Sequence, residues 1–185
     1  MMQERNRSRY CEALLQKLLD QRIIVLDIAI SDEVAKEIIA KLLFLESRLG
    51  HFPITLLINS RGGFVTPGLA IVNTIRGLGN LVETCCMGEA YAMAAIILAS
   101  GSPGRRSAIR NAKVGFRKPE PSLNTNEQSS EHITQVLIQT TLQGTRISEV
   151  VLRRLMVSGE ELDPTRALEL GIIDHIVEQC IPALN

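Results

Sequence analysis

The chain has 185 residues, the right length for one domain, and a core of that size needs no disulfide or metal to stabilise it. Its 20 Lys and Arg balance its 20 Asp and Glu, so the net charge of zero argues against binding to nucleic acid or anionic lipid. Aromatic residues make up only 3% of the chain and Trp is absent. The core therefore has to be aliphatic, which suits stacked β/α layers.

The four cysteines are Cys11, Cys85, Cys86 and Cys180. Because adjacent residues of a strand point to opposite faces, Cys85 and Cys86 are not expected to share a metal or a mutual disulfide. We interpret the cysteines as buried thiols in a reducing compartment.

The polar start of the chain and the absence of a run of about 18 apolar residues predict a protein that crosses no membrane. We expect it in the cytoplasm, or in an organelle such as the plastid stroma.

Helical and strand-like segments alternate along the chain, which predicts an α/β domain. Helices are predicted at residues 10–20, 32–49, 67–77, 90–100, 131–143, 149–156 and 164–170, and strands at 22–26, 54–58, 81–87, 107–116 and 171–177. Ser31, Thr66 and Asp163 are placed to cap the helices that follow them. A polar loop is expected at residues 122–130.

Six segments occur in a fixed order along nearly the whole chain. They are residues 18–26, 43–46, 58–63 with Thr66 and Gly68, 86–90, 104–107 with Asn111, and 167–174. Together they resemble the ClpP family, serine peptidase subunits that form stacked heptameric rings beneath an unfoldase ATPase. The resemblance implies the ClpP/crotonase fold, a spiral of ββα units carrying a helical handle.

The resemblance also implies a domain organisation. We expect one domain over residues 1–185, with an N-terminal helix at 1–20. The head is expected at 21–118 and 160–185, and the handle at 122–156. The handle region is about seven residues shorter than in typical members, roughly 10 Å or two helical turns, so ring stacking is expected to change.

Two consecutive glycines, Gly62 and Gly63, let the backbone turn tightly and expose N–H groups, although a plain strand-to-helix turn has the same spacing. By resemblance, the N–H groups of Gly63 and Met93 are the pair that binds a developing oxyanion. The resemblance likewise makes Gly62, Phe64 and Val65 part of a strand edge along which an extended peptide pairs.

The three positions that carry the catalytic triad in this family hold other residues here. By resemblance, Ala92 stands in place of the serine, Arg117 in place of the histidine and Gly159 in place of the aspartate. A methyl group cannot attack a carbonyl, and a guanidinium stays protonated, so it cannot accept a proton. The resemblance therefore implies a catalytically inactive subunit, similar to the ClpR paralogues.

Partners are also implied by the resemblance. The positions that match the aromatic ATPase-docking pocket are Thr55, Leu57 and Gly77, so docking of the unfoldase is expected to be weaker. We expect a homo- or hetero-oligomeric ring with an active ClpP paralogue, contact with unfolded polypeptide, and no cofactor, metal, nucleic acid or membrane.

Two alternatives stay open. An active peptidase would need an unrecognised nucleophile such as Cys85 or Cys86, and a crotonase-type enzyme would bind acyl-CoA in the same fold. Glu89 and Tyr91 flank the altered site, where they either fill the vacated pocket or are tolerated beside it.

Overall fold

The architecture is that of a computed structural model, which describes residues 14–48, 52–119 and 127–180. Its strands are β1 (Ile23–Leu26), β2 (Ile54–Ser60), β3 (Val82–Tyr91), β4 (Arg106–Ile109), β5 (Lys113–Gly115), β6 (Glu161–Leu162) and β7 (His175–Val177). Its helices are α1 (Asp32–Ser47), α2 (Val65–Gly77), α3 (Met93–Ala99), α4 (Glu127–Leu142), α5 (Glu149–Ser158) and α6 (Pro164–Glu169), and residues 14–20 are also helical.

The strands form one mostly parallel sheet in the order β1-β2-β3-β4-β7, which confirms the predicted α/β class. β3 is long enough to pair with β4 along its first half and with β5 along its second half. β6 runs antiparallel to β5. The carboxyl ends of β2, β3 and β5 therefore meet at one edge of the sheet, which is where sites form in open parallel sheets.

The core is aliphatic, as the composition predicts. The apolar stripe of α1 packs into it through Ile38, Leu42 and Leu45, and the helices cover one face of the sheet with a large cluster. A small second cluster contains Ile23, Leu57 and Cys85. No helix in the described ranges combines the length and the hydropathy that a membrane span requires.

Two of the three predicted caps are confirmed. The Ser31 hydroxyl accepts a hydrogen bond from the Val34 amide (3.3 Å), and the Asp163 carboxylate accepts one from the Arg166 amide (2.7 Å). The prediction that Thr66 caps α2 is wrong. That helix begins two residues earlier than predicted, at Val65, because the extended Phe64 already supplies the first carbonyl acceptor, to the Gly68 amide at 3.2 Å.

Four further boundaries differ from the predictions. β3 runs to Tyr91 rather than ending at residue 87, because its second half pairs with β5, and α3 therefore begins at Met93 rather than at 90. The run 107–116 is two strands separated by a turn. α4 starts at Glu127, inside the predicted polar loop, of which 122–126 lie outside the described residues.

The interpretation of the cysteines as thiols is wrong for two of them. Cys85 and Cys180 form a disulfide with a Cα–Cα distance of 5.7 Å, and Cys86 is a free buried thiol. The two adjacent cysteines do lie in different clusters, as their alternation predicts. The paired cysteines are 95 positions apart, so no local pattern indicates the bond; the pairing of β4 with β3 and β7 brings them together. Cys11 lies outside the described residues.

A nearly buried ion pair fastens the sheet to the segment between α4 and α5. The Arg106 guanidinium donates to both carboxylate oxygens of Asp174, at 2.7 and 2.8 Å, and also to the carbonyl oxygens of Ala99 and Gly144. The two side chains are 5% and 13% exposed, so the pair is well shielded from water. Burial raises the pKa of Asp174, but the hydrogen bonds from Arg106 outweigh it and hold the pKa below the usual 3.8.

We expect Asp174→Asn to lower the free energy of unfolding by about 3 kcal/mol, because it leaves a buried guanidinium uncompensated. A group with a depressed pKa in the folded state stabilises above its unfolded-state pKa, and that contribution is lost as the pH falls through the folded-state pKa. The difference between the wild type and Asp174→Asn should thus be constant above about pH 5 and shrink below pH 4. Urea unfolding across this range measures it.

The matched control is Glu178→Gln, which breaks the exposed pair with Arg110 and should leave stability nearly unchanged. Equal losses in the two variants would contradict the importance of the Arg106–Asp174 pair.

Candidate functional site

A strained backbone elbow joins β3 to α3 at Ala92. This residue has φ 48° and ψ −118°, a conformation that side-chain-bearing residues rarely adopt and that costs about 1–3 kcal/mol. The Ala92 amide donates to the Gly115 carbonyl (2.8 Å), and the Ala92 carbonyl accepts from the Ile96 amide (3.3 Å). The strained conformation is therefore held in place by hydrogen bonds to β5 and to α3. Strain of this kind is concentrated at functional sites.

The turn after β2 lies directly against this elbow. Gly62 has φ 93°, and a Cβ atom placed on it would be 2.7 Å from the Tyr91 carbonyl oxygen and 3.1 Å from the Met93 amide nitrogen. Only a glycine permits both the conformation and the approach. The two turns are thus in backbone contact, and the closest approach to Met93 is made by Gly62, the residue before Gly63.

The N–H of Gly63 is directed away from its neighbouring segment. Ile30 donates to the Gly62 carbonyl (2.8 Å) and accepts from the Phe64 amide (2.9 Å), a parallel bridge centred on Gly63. In such a bridge the flanking groups face the partner, so the N–H and C=O of Gly63 itself face the other side. Among the described residues, neither the Gly63 nor the Met93 amide has an acceptor. Neither amide is therefore committed to a partner within the described part of the chain.

The extended edge expected at Gly62, Phe64 and Val65 is shorter than predicted. Phe64 is extended and 67% exposed, but its amide is committed to Ile30. Val65 is already the first residue of α2, so it contributes no strand edge. The length available for pairing with a peptide is reduced to the glycine turn and its neighbour.

Arg117 lies over Tyr91 beside the elbow. Its guanidinium carbon is 5.3 Å from the centre of the Tyr91 ring, a cation–π contact. Tyr91 is 6% exposed and its hydroxyl donates to a carboxylate oxygen of Glu161 at 2.7 Å. Burial and this hydrogen bond raise the pKa of Tyr91 to about 12, so the hydroxyl stays protonated at neutral pH.

Glu161 is a carboxylate of the site that sequence reasoning missed. The hydrogen bond from Tyr91, together with one from Lys113 (3.2 Å), lowers the pKa of Glu161. Gly159, the position predicted to replace the aspartate of the triad, lies two residues before Glu161. It ends α5 in the left-handed conformation (φ 64°). β6 brings Glu161 into the site by pairing with Gly115, and a two-residue strand has no readable sequence pattern.

A pocket of about 290 Å³ is lined by Arg61, Glu89, Tyr91, Arg117 and Glu161. Arg61 pairs with Glu89 at 2.9 Å, and this pairing raises the pKa of Arg61. Both carboxylates of the pocket are thus neutralised by neighbours. In the described part of the chain Arg117 has no ion-pair partner, and its ring contact with Tyr91 holds it at the pocket.

The described residues place no imidazole in this pocket. His132 and His175 are exposed elsewhere, with His175 Nε2 3.1 Å from the Gly104 carbonyl oxygen, and His51 lies outside the description. The cysteines that could have acted as nucleophiles are otherwise engaged. Cys85 is in the disulfide, and Cys86 is fully buried, with burial raising its pKa to about 12. Within the described ranges there is also no group of three residues able to hold a metal ion.

The expected docking positions are only partly brought together. Thr55 and Leu57 point to the same side of β2, where Thr55 lines a second pocket and Leu57 packs with Cys85. Gly77 is the last residue of α2, and a Cβ atom there would meet no atom within 4 Å.

The fold and the two facing turns define a class of protein. The family model for Clp protease matches residues 6–180, so the chain belongs to the Clp protease family. Among curated proteins it is similar to the ATP-dependent Clp protease proteolytic subunit of Bdellovibrio bacteriovorus. The two are 37% identical over 175 residues, which cover 89% of this chain and 82% of the relative.

We expect Ala92→Gly to raise the free energy of unfolding by about 1 kcal/mol, because glycine adopts this positive-φ conformation without strain. Chemical denaturation measures the change. The matched control is Ala94→Gly, the same substitution in the helical conformation two residues later, which should be destabilising. Destabilisation of equal size in both variants would contradict a strained elbow.

Proposed function

We propose that this chain is a non-cutting, ClpR-like ring subunit of an ATP-dependent Clp protease, which leaves peptide-bond cleavage to an active partner. The observation that carries the proposal is the methyl group of Ala92 at the strained elbow, beside a guanidinium at Arg117. Without a nucleophile or a base, the elbow and the two free amides can position a carbonyl but cannot attack it.

The neighbouring side chains support this proposal. Tyr91 keeps its proton at neutral pH, and Glu161 keeps its negative charge, so neither is poised to exchange a proton near pH 7. Glu89 is paired with Arg61. The proposed role of the pocket is to hold an extended, unfolded chain against the amides of Gly63 and Met93, and Glu89, Tyr91 and Arg117 fill the space that a triad would occupy.

The proposed assembly is a ring, formed with copies of this chain or with an active ClpP paralogue. It uses the ClpP/crotonase spiral of ββα units as the head (residues 21–118 and 160–185) and residues 122–156 as a shortened handle between rings. A Clp ATPase docks weakly through Thr55, Leu57 and Gly77. We place the complex in the cytoplasm or an organelle such as the plastid stroma.

We expect purified chain to cleave a fluorogenic peptide at least about a million-fold more slowly than an active relative, because all three groups of the triad are replaced. The combined variant Ala92→Ser, Arg117→His, Gly159→Asp should show measurable turnover, while each single variant should not. The substitution at 159 is sterically reasonable, since aspartate tolerates the left-handed conformation and a Cβ atom there meets no neighbour within 4 Å.

A different outcome would show that the chain is itself a peptidase. Turnover by the unaltered chain that is lost in Cys86→Ala would establish an active peptidase with a rearranged nucleophile and would refute the non-cutting role. A serine-directed phosphonofluoridate, which reacts with an activated hydroxyl, is the second readout and should label only the combined variant, because Ser at position 92 needs the neighbouring His to activate it.

We expect co-expression with an active ClpP paralogue to yield mixed rings that contain both chains. Native mass spectrometry measures the composition, and expression of this chain alone is the control. Free monomer under every condition, with the partner forming rings by itself, would refute the ring-subunit role while leaving the absence of cleavage untouched.

A further inference from the structure

The disulfide between Cys85 and Cys180 lies on the small apolar cluster of the sheet, away from the candidate site. Cys85 is 2% exposed on β3 and is the register partner of Leu57 on β2. Val177 and Cys180 pack against this cluster from the end of the chain. The bond therefore fastens the residues after β7 to a central strand, across the intervening β4.

Few other contacts hold the fastened segment. β7 ends at Val177, and residues 178–180 belong to neither a helix nor a strand. Glu178 pairs with Arg110, but both side chains are 71% exposed, and such pairs contribute little. The Cys180 sulfur also lies 3.7 Å from the Cys86 carbonyl oxygen. Loss of the disulfide would thus remove the main attachment that this segment has to the other described residues.

A thiol can reach the bond from one side. An open pocket of about 340 Å³ lies beside it, lined by Thr55, Glu83, Ser107 and His175 as well as by the two cysteines. Cys180 is half-buried at this pocket, whereas Cys85 is buried in the strand. Attack at the Cys180 sulfur, with Cys85 as the leaving group, is the accessible direction.

We propose that Cys85–Cys180 is a reversible redox site, at which a dithiol reductant releases residues 178–180 from the face of the sheet that carries Thr55 and Leu57. Disulfides of intracellular proteins are usually transient or redox-sensing rather than structural, which favours this role for a protein in the proposed compartments. The consequence for ATPase docking depends on the function proposed above for Thr55 and Leu57. The exchange between the disulfide and a reductant does not depend on that docking function.

The exchange balances without a further co-reactant. One thiolate of the reductant attacks the Cys180 sulfur and forms a mixed disulfide, and Cys85 leaves as a thiolate and takes up a proton. The second thiol of the reductant then displaces Cys180, which is also protonated, and the reductant becomes an intramolecular disulfide. Two electrons and two protons pass to the protein. Cys86 does not take part, because it is fully buried and burial raises its pKa to about 12.

The test is a redox titration of the folded, full-length chain in mixtures of reduced and oxidised dithiothreitol. Samples are quenched with acid, alkylated with N-ethylmaleimide after denaturation and analysed as peptides by mass spectrometry. We expect Cys85 and Cys180 to pass together from the disulfide to the alkylated form at one midpoint, with Cys86 alkylated throughout. Retention of the disulfide in the folded protein under excess dithiothreitol, or its absence under full oxidation, would overturn the proposal.

Hydrogen exchange measures the structural consequence. Reduction should accelerate amide exchange in residues 175–180 by on the order of ten-fold and leave α1 unchanged, because only the chain end loses its attachment. Cys180→Ser should show the fast exchange in oxidising buffer, and the matched control Cys86→Ala should keep the redox dependence. Unchanged exchange on reduction would overturn the release of the segment. None of these readouts involves peptide cleavage or ring assembly, so their outcome is separate from that of the proposed function.

Discussion

The contact between two backbone turns is the constraint on which the candidate site depends. β2 and β3 are parallel neighbours, and an irregularity after Ile58 brings Ser60 opposite Ala90, so that the glycine turn and the Ala92 elbow lie side by side. Gly62 approaches the elbow closely enough that no side chain could be added. Because the contact is made by main-chain atoms, it does not depend on the side chains at 92, 117 and 159. A scaffold of this kind persists when the catalytic groups change.

The side chains around that scaffold form a network of a different character from a catalytic triad. Tyr91 and Lys113 hold Glu161, Arg61 holds Glu89, and Arg117 lies on the Tyr91 ring. The pKa values of Arg61 and Tyr91 are raised and that of Glu161 is lowered, so all three are moved away from neutrality. Catalytic acids and bases have pKa values near the working pH, so the network suits the proposed role of holding a chain without cutting it.

β3 links this site to the disulfide on the other cluster. Its first half carries Cys85 and pairs with β4, and its second half ends at the elbow and pairs with β5. The Arg106–Asp174 pair joins the start of β4 to the residue before β7, so the chain end is positioned against the sheet by a buried ion pair and by the disulfide. Reduction or formation of the disulfide therefore takes place on β3, the strand that supports the candidate site.

The amino-acid sequence by itself determined the elements whose signals are local. The apolar run of β2 predicted a buried strand, Ser31 and Asp163 predicted helix starts, and the ordered segments from residue 18 to residue 174 indicated the family that the comparisons show. These features depend on residues within a few positions of one another, where propensity, capping and hydrophobic spacing act. Only the tertiary structure decided the far end of β3, the entry of Glu161 into the pocket, and the pairing of Cys85 with Cys180. Each joins parts of the chain 24 to 95 residues apart, through strand pairing or side-chain contact that no local pattern encodes.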